Sequence, residues 1–212
     1  MTDPANIHGT IVVSGTGRVA VEPDIAELRL GVAVSRPSVE AARSAAAEAM
    51  TAILQAVTAA GVAKRDVRTA LLSVQPRYDY RDGKAPTLVG YDLANIVEVT
   101  ARDLASLGAI IDGALSAGAT SLDGLSFRVD DPREAERAAR TAAVAEARSR
   151  AEVLAEAAGV AIAGVTDIVE GGPPPSWPQP KAARMLAADA GTPVEAGTTE
   201  ISVTVTVTFR IA

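Results

Sequence analysis

A chain of 212 residues that is 48% apolar but only 3% aromatic can bury a sizeable core, built from Val, Leu, Ile and Ala. Its net charge of −6, with arginines scattered rather than striped, argues against a nucleic-acid surface, and the lack of cysteine excludes disulfides, thiol catalysis and thiolate metal sites. No run approaches the ~20 apolar residues that span a bilayer. The opening MTDPANIHGT has neither the basic nor the apolar part of a leader, so a cytoplasmic protein is expected, with the periplasm or cell envelope as the alternative if a leader was removed.

In chain order, residues 11–14 read as a short strand. Gly15, Gly17 and Ala20 then give G-x-G-x-x-A, the spacing of a dinucleotide-binding turn. Such a turn opens a helix, whereas Glu22-Pro23-Asp24 and another strand follow here, so the glycines read as a plain turn. Residues 24–34 form a half-buried strand with Ala26, Leu28, Leu30, Val32 and Val34 inward. A helix over 38–60 buries Val39, Ala42, Ala46, Met50, Ile53, Leu54 and Val57 and stops at Gly61. Residues 67–75 and 88–100 are strands joined around the turn signal Asp82-Gly83. Asp103 caps a shorter helix with Leu104, Leu107, Ile110, Ile111 and Leu115 inward, ended by Gly118. Residues 122–129 form the next strand.

The longest helix is expected over 131–159. Asp131 caps it, Pro132 takes the first helical position and Glu134 completes a capping-box spacing. Gly159 ends it in the left-handed conformation. Its inner stripe is Ala139, Ala143, Ala147, Ala151, Leu154 and Ala158, small enough to lie close on a sheet. Glu136–Arg140 and Glu146–Arg150 are i,i+4 pairs on the outer face. Residues 165–169 give a further strand. The stretch 171–199 is a long flexible loop whose Pro-rich half holds Trp177, Pro178 and Pro180, a possible contact arm. Residues 201–211 alternate cleanly, with Ile201, Val203, Val205, Val207, Phe209 and Ile211 on one face, as in a strand inside a sheet.

The class is therefore α+β. Residues 24–130 form a ferredoxin-like βαββαβ unit. Residues 11–23 with 131–212 form a second, discontinuous βα layer, and the strands at 24–34 and 201–211 are long enough to serve both. The sheets are mainly antiparallel with helices on one face.

Several stretches together resemble the SIMPL-domain family: IVVSGTGRVAVEPDIAELRLGV, Gly90-Tyr91, AGATSLDGLSFRVDD, the A-x3-A-x2-R-A-x2-L-A-x2-A-G-V pattern in the long helix, and the closing ISVTVTVTFRI. The resemblance runs from about Ile11 to Ile211 and makes residues 1–212 a single SIMPL-type domain. It implies a bacterial protein related to periplasmic or outer-membrane immunogenic proteins, of a family in which some members form ring- or channel-like homo-oligomers. The family supplies no catalytic residues to carry over.

The functional expectation is a non-enzymatic homo-oligomeric scaffold, without cofactor or metal. One histidine, His8, cannot supply a nucleophile–base or metal constellation. A peptide- or lipid-binding module acting through 171–199 is one alternative. A carboxylate-based hydrolase is the other, using Asp130 and Asp131 or Asp79, Asp82 and Asp92.

Overall fold

Residues 9–80, 85–171 and 192–212 are described by a computed structural model. Their elements are β1 (Thr10–Val21), β2 (Ile25–Arg36), α1 (Val39–Ala59), β3 (Val67–Asp79), β4 (Thr87–Ala101), α2 (Leu107–Ser116), β5 (Ser121–Arg128), α3 (Arg133–Ala158), β6 (Ile162–Glu170) and β7 (Thr199–Ile211). The class is α+β, as expected. Two compact units divide the chain, one holding residues 9–22, 131–171 and 197–212, the other 23–130 and 192–196.

In the second unit the strands lie in the order β3-β4-β2-β5, every pair antiparallel, which is the ferredoxin-like arrangement. The alternation of β2 puts Leu28, Leu30 and Val32 on one face, where they meet Ile53 and Val57 of α1 and Ile110 and Ile111 of α2. Burying each such side chain contributes about 1.5–3 kcal/mol. Ser38 caps α1 by accepting the Ala41 N–H at 3.2 Å. Asp103 accepts the Ala105 N–H at 3.1 Å, in a 3-10 turn that leads into α2. Val39 and Leu115, expected inward, stand at helix ends and are exposed.

The first unit is a three-stranded antiparallel sheet, β1-β7-β6, under α3. As its alternation demands, β7 is central and buries Val205, Val207 and Phe209. Neither β2 nor β7 is shared between sheets, because each has both edges occupied by its own neighbours. On the open face, Ser14 pairs with Thr206 and Thr16 with Thr204 through hydroxyl hydrogen bonds of 3.0 Å.

The glycines expected to turn the chain lie instead inside β1, a strand of 12 residues. A Cβ on Gly15 or Gly17 would collide with α3 backbone around Ala139, Ala143 and Ala147. Bare strand and alanine stripe thus meet backbone to backbone. The stripe is Ala139, Ala143, Ala147, Ala151 and Ala155; Leu154 and Ala158 are exposed. A strict four-residue step rotates by about 40° per repeat, so the contact ends at Ala155 rather than passing to Leu154. Helix α3 begins at Arg133, one residue past the expected start, and Asp131 still accepts the Arg133 N–H at 3.2 Å. Gly159 ends it at φ 69°.

Candidate functional site

The carboxylates that a hydrolase would use are engaged structurally. Asp131 holds the Arg133 guanidinium, which pushes its carboxyl down to about 2, aided by the backbone N–H of the same residue. In the second unit Asp130 bonds Arg102 at 2.5 Å, and Arg102 also reaches Asp66 at 3.0 Å. Asp92 accepts from the Ser35 hydroxyl and lies 3.9 Å from Arg77. Asp79 is engaged as well. His8, Asp82, Trp177, Pro178 and Pro180 lie outside the described residues. Among the described residues no group of three or more His, Asp or Glu side chains could hold a metal ion.

The far end of the expected loop belongs to the second unit. Thr192 donates its hydroxyl to Asp112 of α2 at 2.7 Å, and Val194 packs against the core. This limb is anchored, which composition alone could not show.

Two apolar surfaces were not legible in the sequence. The first lies in the second unit. Helices α1 and α2 cover β2 and β4 but leave β3, the outer strand, bare. An open apolar groove of about 750 Å³ results, lined by Thr51, Leu54, Thr58, Lys64, Val67 and Val97 among others. The register carries the same face of β3 on to Leu72 and Val74, which pair with Asn95 and Leu93 and are exposed. Asn95 Oδ1 is buried there without a hydrogen-bond partner.

The second surface lies in the first unit. Val165 and Ile168 of β6 pair with Phe209 and Val207 on the face that carries α3. Helix α3 packs over β1 and β7 and stops short of β6. Val165 and Ile168 are therefore each 52% exposed, while Val207 beside them is fully buried. The opposite edge, β1, is closed: Glu146 accepts the Thr16 N–H at 2.5 Å and Arg150 donates to the Ser14 carbonyl at 2.7 Å. The Thr16 N–H, and then Arg150, hold the Glu146 carboxyl below its ordinary value. No helix among the described residues is long and apolar enough to cross a membrane.

A ferredoxin-like unit and a discontinuous βα unit together define an α+β protein. The chain belongs to the SIMPL family, described as a protein of unknown function (DUF541), whose model matches residues 11–209. It is similar to the 26 kDa periplasmic immunogenic protein of Brucella melitensis, 37% identical over 99% of this chain and 86% of the relative. The protein of that name from Brucella abortus matches equally well. The uncharacterized protein YggE of Escherichia coli is 39% identical over 68% of this chain and 58% of its own length. The periplasmic relatives overturn the expectation of a cytoplasmic protein. That expectation rested on the opening residues, and since a leader is cleaved from exported proteins, those residues do not decide the compartment.

Proposed function

We propose that residues 1–212 act as one domain and serve as the non-enzymatic subunit of a homo-oligomeric scaffold in the bacterial periplasm. The observation that carries this reading is the bare apolar row of β6. Val165 and Ile168 continue a sheet face that is otherwise packed, and Val169 is 53% exposed on the opposite side. Apolar surface of this kind marks a contact, and a self-complementary one closes a symmetric assembly. The arm that follows β6, with Trp177, Pro178 and Pro180, is the second contact in this reading, because tryptophan is favoured at interface centres. The arginine partners of Asp130 and Asp131 support a structural rather than a chemical role for those carboxylates.

Sedimentation velocity of the full chain tests the proposal. Wild type is expected to sediment as an oligomer at micromolar concentration. Ile168→Lys and Trp177→Ala are expected to shift it to smaller species with an unchanged melting temperature. A monomeric wild type would overturn the assembly, and an unchanged Ile168→Lys oligomer would remove β6 from it.

A further inference from the structure

We infer that the groove between α1 and β3 is a binding site for one long-chain fatty acid, with its carboxylate on Lys64 and its hydrocarbon chain along Leu54, Val67 and Val97 toward Leu72 and Val74. Its volume of about 750 Å³ lies inside the ~300–1,000 Å³ typical of small-molecule sites. The walls expose mainly apolar surface, although Gln55 and Thr69 also line them. The hydroxyls of Thr51 and Thr58 are turned back onto their own helix, donating to the Ala47 and Leu54 carbonyls at 2.7 and 2.8 Å, so these two hydroxyls are already satisfied.

At one end stands an exposed ammonium, Lys64, with no ion-pair partner among the described residues. Its neighbour Arg65 turns to Asp66 at 3.8 Å. A single ammonium matches the one charge of a carboxylate, whereas a phosphate monoester carries about −1.5 to −2. From Val67 to Val74 the face extends about 20 Å at strand rise, longer than the ~15 Å that one lipid chain spans in half a bilayer core.

Charge at one end and hydrocarbon along the rest is the pattern of a single-chain amphiphile. An added β-strand fits this place less well. Pro76 offers no N–H, and β3 shifts register between Thr69 and Leu71 and again between Arg77 and Tyr78, so its outer edge is a poor template for pairing.

The test is equilibrium dialysis of the full, delipidated chain against radiolabelled palmitate below its micelle concentration. Saturable binding of one palmitate per chain is expected, weakening two- to fourfold for each methylene removed on going to laurate. Lys64→Glu and Thr58→Glu are exposed changes compatible with folding, and each is expected to weaken palmitate at least tenfold. Ile168→Lys, in the other unit, is expected to bind as wild type does. No saturable binding, undiminished binding by both glutamate variants, or tighter binding of hexadecylamine or lysophosphatidylglycerol would each overturn the assignment. So would loss of binding in Ile168→Lys, which would move the ligand to the proposed assembly face.

Discussion

Gly17 of β1 and Ala139 of α3 meet so closely that no side chain fits between them: an added Cβ would collide with the Ala139 carbonyl and stand 2.7 Å from the Ala143 nitrogen. Backbone cannot yield as a side-chain tip can. Gly17→Ala is therefore expected to destabilise the first unit by about 1–3 kcal/mol, the usual cost of overpacking. Gly171→Ala, where the added methyl meets open space, is the control and should be silent. Urea unfolding of the two variants checks this, and equal midpoints would refute the close seam.

Val205→Asp places a carboxylate at a position 3% exposed in the central strand. The expected loss is about 3–5 kcal/mol. Thr206→Asp, on the hydroxyl-lined open face, should cost less, and the difference in melting temperature between the two variants measures how one-sided β7 is.

Acid should act on the first unit through Glu146. Its carboxyl is depressed in the folded state, first by the Thr16 N–H and then by Arg150. A depressed carboxylate contributes stability that is fully present above its unfolded value and is lost as pH falls through the folded one. The loss begins below the ordinary 4.5 of a glutamate. Glu146→Gln should flatten the stability profile in that window, lowering stability at neutral pH while leaving the acid end nearly unchanged. Carboxyl titration by NMR, placing Glu146 at or above its ordinary value, would contradict the edge contact.

Asp112 anchors the returning limb at Thr192 through a 2.7 Å hydroxyl bond. Asp112→Ala should cost about 1 kcal/mol locally. Cleavage within 192–196 by a nonspecific protease should then accelerate while the melting temperature barely moves. Unchanged cleavage would mean that Val194 packing alone holds the limb.

How far the sequence reaches is clearest at particular residues. The caps at Asp103 and Gly159 and the face of β7 were legible because each depends on neighbours within a few positions. Gly15 and Gly17 were misread because what demands their bareness is a helix more than a hundred residues later, and local chemistry cannot tell a turn glycine from a contact glycine. Leu154 was placed inward by a pattern that mixed three- and four-residue steps, while α3 keeps to steps of four. The groove was invisible for a different reason. Leu72 and Val74 alternate like core residues, and only the placement of α1 leaves them bare. Trp177, Pro178 and Pro180, the residues chosen as a contact, lie outside the described part of the chain and remain a proposal.

The order β1-β7-β6 has a consequence for synthesis. The central strand of that sheet follows every other element in the chain, and its partner β1 precedes them all, so the Ser14–Thr206 pair closes a loop of 192 residues. Until β7 emerges, β1 and β6 have no common partner and the alanine stripe of α3 has no sheet to cover. Elements β2 to β5, by contrast, are contiguous and complete their own sheet early. Folding of this chain is thus divided in time: the ferredoxin-like unit condenses as a nascent segment, and the other unit waits for the last strand, slowed by a closure of very high contact order.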